Sequence, residues 1–134
     1  INLARQQLGV PYKWGGMTPK GMDCSGLTRL CYLMCGVMLP RDAWQQAETG
    51  RRIQIGRGHD GNWDLSSLKP GDLLFFARAA TADRPARVVH VGIYMGDNYF
   101  IHASHMVRIN SLMIGQADSY ENTHMLYCAC RIVE

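Results

Sequence analysis

One cysteine and two histidines stand where their types and spacing allow covalent acyl transfer. Cys24 follows Asp23, a residue type that caps helices, and opens an apolar run that ends at Gly36. The spacing predicts a helix over 24–35 with the thiol in its first turn. There the positive end of the helix dipole and unpaired N–H groups are expected to lower the thiol pKa toward the nucleophilic thiolate. Gly15 and Gly16, in the loop before it, let a substrate backbone approach closely. A buried cysteine that merely starts a helix has the same local pattern.

A thiol nucleophile needs a base, and the base needs an orienting group. Val88–Met95 alternates as a strand, with Val88, His90, Gly92 and Tyr94 on one side and Val89, Val91, Ile93 and Met95 on the other. Gly96-Asp97-Asn98 turns it into a second strand, Tyr99–Ser104. If those three residues form the loop, Gly92 faces His102 and His90 faces Ser104. The two histidines are then diagonal neighbours on one face, with roughly 7–8 Å between their Cα atoms, a gap two imidazoles can close. A two-residue turn instead slips the register, moves His102 to the other face and sets His105 opposite His90.

The elements that must position these residues follow the same logic. Asn2–Leu8 reads as a short helix stopped by Gly9 and Pro11, and 11–22 as a glycine-rich loop with Tyr12 and Trp14. In the Cys24 helix, Ser25, Thr28, Arg29 and Tyr32 form one polar stripe and the other faces are apolar, so the helix is mostly buried. A further helix is predicted from Arg41 or Asp42 to about Thr49. Ile55–Leu68 is loop-like. Asp72–Ala77 reads as a strand buried on both faces, and 107–112 and 125–133 as later strands. Helices first and strands afterwards predict an α+β fold around an antiparallel sheet.

The chain has 134 residues, the size of one domain spanning 1–134. Its net charge of +3 is spread along the sequence, with only Arg51-Arg52 adjacent, so no nucleic-acid partner is expected. The longest apolar stretch, 27–40, is broken by Thr28, Arg29 and Gly36, so no membrane span is expected. The chain starts at Ile1 inside a helical pattern, without a signal peptide, and is expected to be a domain of a longer protein. Five cysteines leave at least one thiol free. Cys31 and Cys35 share a helix face and Cys128 and Cys130 a strand face. Their spacings are not those of zinc knuckles, and inert buried thiols are the better reading. No metal and no cofactor is expected.

Five ordered blocks resemble the NlpC/P60 cysteine peptidases. They are Leu8-Gly9-Val10-Pro11-Tyr12-Lys13-Trp14-Gly15-Gly16 with Asp23-Cys24-Ser25-Gly26-Leu27; Leu39-Pro40-Arg41; Pro70-Gly71-Asp72-Leu73-Leu74-Phe75-Phe76; His90-Val91-Gly92-Ile93-Tyr94; and Tyr99–Ser104 with His102. The resemblance implies a reduced papain-like fold, with the cysteine helix packed on a sheet that carries the histidines. It implies that Cys24 attacks an amide carbonyl, His90 relays the proton, His102 orients and polarises His90, and the Tyr12 hydroxyl helps stabilise the oxyanion. Asp23, Ser25, Trp14 and Arg41 are the implied substrate-binding residues, Asp23 as anchor for the ammonium of a free N-terminal L-Ala. Capping is the competing role for Asp23.

The implied substrate and partner is the peptidoglycan stem peptide L-Ala-γ-D-Glu-diamino acid, cut between glutamate and the diamino acid. Action in the bacterial envelope or outside the cell is implied, with cytoplasmic recycling of wall peptides as the alternative. N-terminal SH3-like domains are implied for the longer chain. Ala43 departs from the pattern, standing where relatives often carry Ser, and the loops 56–67 and 79–85 are longer than the minimum. The same Cys-His-His set would also serve an amidase or acyltransferase on another substrate. A wall-peptide binding module without catalysis is the reading of a different class.

Overall fold

The computed structural model describes residues 1–13, 16–18, 21–57 and 62–132. Helix α1 (Asn2–Gln6) ends in a turn before Gly9, which sits at φ +86°. A small ribbon, β1 (Met17–Thr18) and β2 (Gly21–Met22), leads into α2 (Cys24–Leu33). Asp23 caps α2, its carboxylate accepting the Gly26 N–H at 2.7 Å. The helix stops two residues short of the predicted Cys35. Cys35 N–H bonds to the Tyr32 carbonyl, Gly36 turns at φ +85°, and Val37 N–H returns to that same carbonyl.

Helix α3 (Ala43–Gln46) is also shorter than predicted. The N–H groups of Glu48 and Thr49 reach back three residues rather than four, to Gln45 and Gln46. Gly50, at φ +67°, then reverses the chain, and a Cβ there would lie 2.4 Å from the Arg131 carbonyl oxygen. This turn delivers β3 (Arg51–Ile53), an edge strand that the sequence does not announce because two of its three residues are exposed arginines. In the segment read as loop, β4 (Gly56–Arg57) and β5 (Trp63–Asp64) pair as a separate hairpin.

The remaining strands are β6 (Leu73–Arg78), β7 (Arg87–Gly96), β8 (Tyr99–Ser104), β9 (Met106–Ser111) and, after a 3₁₀ turn at Thr123–Met125, β10 (Leu126–Arg131). They form with β3 one antiparallel sheet of order β3-β10-β6-β7-β8-β9. The fold is α+β, as the order of helices and strands predicts. No described helix is long and apolar enough to cross a membrane.

The sheet is buried on both faces. Leu73, Phe75, Val91, Ile93, Ile101, Cys128 and Cys130 pack with Leu27 and Cys31 on the helix side, and Leu74, Phe76, Tyr94, Phe100, Tyr120 and Leu126 form a second cluster. The predicted alternation of β7 fails at one point. Phe76 pairs with His90 but Ala77 pairs with Val88, so Val89 is inserted as a bulge. Val88 therefore joins the cluster of Val91 and Ile93 rather than the His90 face.

Sheet and loops are tied by a buried ion pair. Arg131 donates to both oxygens of Asp72, at 2.9 and 2.8 Å, and Asp72 also accepts the Lys69 N–H at 2.8 Å. The Asp72 and Arg131 side chains are only 3% and 7% exposed. Asp72→Ala leaves the guanidinium uncompensated and is expected to lower stability by about 3–5 kcal/mol. Urea unfolding checks this as a lower midpoint at unchanged slope.

Candidate active site

The first turn of α2 rests against β7, and Cys24 is buried there at 8% exposure. Its sulfur receives the backbone N–H of Val91, the residue after His90. The helix start does not yield the low pKa expected from the dipole. Burial pushes the Cys24 thiol above its ordinary value, and the neighbouring Asp23 carboxylate adds to this. The N–H groups of Val91, Ser25 and Cys24 itself only partly oppose it. Burial thus favours the thiol over the thiolate.

The histidine hairpin reaches the predicted face by a different turn. Asp97 and Asn98 both have positive φ, 54° and 73°, which makes a two-residue turn. Such a turn was expected to slip the register. Instead Gly96 pairs with Tyr99, Met95 bulges out, and Tyr94 pairs with Phe100 and Ile93 with Ile101. The bulge cancels the slip, so His102 keeps the His90 face, with His90 Nε2 and His102 Nδ1 2.7 Å apart. Gly92 makes the room. A Cβ there would lie 2.7 Å from the Phe100 ring and 3.1 Å from His102 Cβ. His105 lies in the next turn at φ 64°, where its carbonyl accepts the Tyr12 N–H at 2.9 Å.

Asn110 on β9, which no motif or spacing singles out, sets the direction of the histidine pair. Its Nδ2 donates to the Asp118 carbonyl at 3.0 Å, which leaves Oδ1 facing His102 Nε2 at 2.8 Å. An amide oxygen only accepts, so His102 carries its proton on Nε2. His102 Nδ1 is then the acceptor, His90 donates from Nε2, and the lone pair of His90 is left on Nδ1. His102 is fully buried and His90 partly so, with Phe76, Phe100 and Tyr120 packed around the rings.

Burial is also the main reason both rings stay neutral. It pushes His90 down to about 3, helped by His102 and Arg108. It pushes His102 down to about 4, against the opposing pull of the Asn110 hydrogen bond and Glu121. Burial thus favours the neutral form both of the Cys24 thiol and of the His90 imidazole.

Two open cavities meet at Tyr12. One of about 490 Å³ holds Cys24, Asp23 and Ser25, and one of about 480 Å³ holds His90 and His105. The Tyr12 hydroxyl is held above its ordinary pKa by burial and by the nearby Cys24 and Asp23, so it remains a donor. Ala43, where a hydroxyl was noted as missing, lines the Cys24 cavity. Trp14 lies outside the described residues.

Asp23 proves to be both cap and ion-pair partner. Arg41 donates to its two oxygens at 3.2 and 2.9 Å and to Ser25 Oγ at 2.8 Å, while Ser25 donates to Asp23 at 3.3 Å. The carboxylate expected to hold an ammonium therefore already carries a guanidinium. The polar stripe of α2 is likewise not a solvent face. Thr28 Oγ1 is buried 2.6 Å from Gln46 Oε1, and Gln46 Nε2 bonds to the carbonyls of Ser25 and Pro40, which locks α3 to the Cys24 turn. Among the described residues, no cluster of His, Cys, Asp and Glu is placed to hold a metal ion.

The profile of the NlpC/P60 family matches residues 9–127. A gamma-D-glutamyl-L-lysine dipeptidyl-peptidase of Bacillus cereus is 36% identical over 103 residues, 77% of this chain and 27% of that protein. A murein DD-endopeptidase/murein LD-carboxypeptidase of Escherichia coli is 40% identical over 97 residues, 72% of this chain and 43% of that protein. The crystal structure of an NlpC/P60 family protein from Bacillus cereus superposes with a TM-score of 0.78 at 31% identity, covering 99% of this chain and 39% of that one. The chain thus spans less than half the length of each of these three.

Proposed function

Because this chain belongs to the NlpC/P60 family, we propose that it is the catalytic domain of a cysteine peptidase acting on the γ-D-glutamyl–diamino acid bond of peptidoglycan stem peptides. The observation that carries this reading is the directed chain of hydrogen bonds from Asp118 through Asn110 and His102 to His90, which leaves one lone pair, His90 Nδ1, as proton acceptor. The activities named for the two relatives support the substrate class, and an envelope site of action goes with that substrate.

The steps balance on these atoms. As the Cys24 sulfur attacks the γ-carbonyl carbon, its proton passes to His90 Nδ1. The oxyanion takes hydrogen bonds from the Tyr12 hydroxyl and from N–H groups at the start of α2. His90 gives the proton to the departing amine, leaving a thioester on Cys24. Water, losing a proton to His90, then releases the glutamyl carboxylate and restores the thiol.

Asn110 acts through His102 as a positioning residue. Asn110→Leu leaves the buried His102 N–H unpaired, at a cost of about 1–3 kcal/mol, so kcat is expected to fall roughly tenfold to a hundredfold. A purely structural role would leave the pH profile in place. The acid limb of kcat/KM should move to lower pH in Asn110→Leu, because the Asn110 hydrogen bond raises the His102 pKa.

The direct test is incubation of the protein with L-Ala-γ-D-Glu-diaminopimelate, its N-acetylated form, and a cross-linked wall dimer, with products read by mass spectrometry. Release of L-Ala-γ-D-Glu supports the reading. Cleavage of the free-amine peptide alone assigns Asp23 a share in amine binding beside Arg41. Cleavage of the dimer alone moves the scissile bond to the cross-link. No cleavage with Cys24 reduced rejects the substrate class.

A further inference from the structure

Strands β6 and β7 end on two arginines that face one another. Arg78 and Arg87 are direct cross-strand partners, both exposed, and both line the cavity that holds Cys24. Like charges directly opposite on paired strands destabilise the pair. Elsewhere this chain couples cleft and core cations to carboxylates: Arg41 to Asp23, Arg108 to Glu121, Arg131 to Asp72. Among the described residues, neither the Arg78 nor the Arg87 guanidinium has an ion pair or hydrogen bond. Carboxylates are within the neighbourhood, Asp42 on another wall of the same cavity, Asp83 in the connecting loop and Glu48 in the adjoining cavity, yet none takes either guanidinium. The cleft wall formed by the ends of β6 and β7 thus presents two uncompensated cations.

We propose that Arg78 and Arg87 form a carboxylate-binding subsite for the peptide cleaved at Cys24, an inference that rests on the function proposed above. A guanidinium fork matches a carboxylate with two parallel hydrogen bonds, and an anion between the two arginines would remove their repulsion. Beside the C-terminal carboxylate that every such peptide carries, the stem peptide offers this group in two places. Glutamate linked through its γ-carboxyl keeps a free α-carboxylate, and diaminopimelate ends in a carboxylate and an ammonium where lysine has the ammonium alone. The pair repels a lone ammonium, so the site discriminates by repulsion as well as attraction.

The test measures kcat/KM of the wild type and of R78Q/R87Q on three tripeptides: L-Ala-γ-D-Glu-diaminopimelate, L-Ala-γ-D-Glu-L-Lys, and the first peptide with its glutamate α-carboxylate amidated. The wild type is expected to prefer the first peptide over one of the others by about tenfold, the worth of one charge-assisted contact. In R78Q/R87Q that preference should vanish, chiefly through a lower rate on the favoured peptide. It should also shrink in the wild type at high salt, because the arginines are exposed. A difference confined to the lysine peptide places the bound carboxylate on diaminopimelate, and one confined to the amide places it on glutamate.

Equal wild-type rates on all three peptides, or equal slowing of all three in the variant, overturns the subsite. If no peptide is cleaved, the proposed function fails, and the subsite is read separately by calorimetric titration of Cys24→Ala protein with the same peptides. Unchanged Kd values on adding R78Q/R87Q overturn it there. The thermal midpoint of R78Q/R87Q should equal or exceed that of the wild type, since a repulsion is removed.

Discussion

Replacing Cys24 with alanine is expected to abolish peptide hydrolysis, by a factor on the order of 10⁶ in kcat, the loss seen when one member of a nucleophile–base unit is removed. No other cysteine can substitute. Cys31, Cys128 and Cys130 are buried in the core, and Cys35 lies at the far end of α2 from the cleft. The variant removes only a sulfur from a site already bordered by cavity, so the fold should persist. Single-turnover assays with mass detection of the thioester check both halves, since the wild type should accumulate an adduct on Cys24 and the variant none. Turnover by folded Cys24→Ala protein would falsify the nucleophile. Because burial holds the thiol pKa above its ordinary value, iodoacetamide should label Cys24 slowly at neutral pH and faster as pH rises.

His90→Ala is expected to cost nearly as much, on the order of 10⁶ in kcat, and the double variant no more than either single one, because thiol and base act as one unit. Additive losses would show two independent roles. The pH dependence carries a sign that can be worked out. The proposed mechanism needs the His90 lone pair, and burial lowers His90 to about 3 and His102 to about 4, so activity is expected to fall only in acid near those values. Stability responds earlier. Unfolded histidines bind protons below about pH 6.5 while the native rings refuse them, so stability present above that pH is lost progressively as pH falls toward the folded values. The thermal midpoint of the wild type should therefore drop through mild acid, and that of His102→Asn should drop less.

Much of this was legible in residue order. Asp23 before Cys24 gave the cap, and the cap is made. Alternation around His90, and the strand Tyr99–Ser104, gave one hairpin with both imidazoles on one face. The hairpin reaches the expected face without the expected three-residue loop, because a two-residue turn and a bulge at Met95 compensate. Bulges leave no mark in a hydrophobic pattern, and the one at Val89 misplaced Val88 in the same way. The edge strand Arg51–Ile53 escaped because exposed arginines carry no alternation, and its pairing with β10 is set almost eighty residues away.

The sequence by itself determined the helix that opens on a thiol, the histidine hairpin and the α+β order, because caps, alternation and turns act between near neighbours. Only the tertiary structure decided the protonation of that thiol, which follows from how deeply α2 sinks against β7 rather than from the helix end alone. It alone chose the tautomers, through Asn110 and a carbonyl beyond it. It alone gave Asp23 to Arg41 while leaving Arg78 and Arg87 without an ion-pair partner among the described residues. Burial and the pairing of distant polar groups depend on packing between elements, and packing is the information that spacing along one chain does not carry.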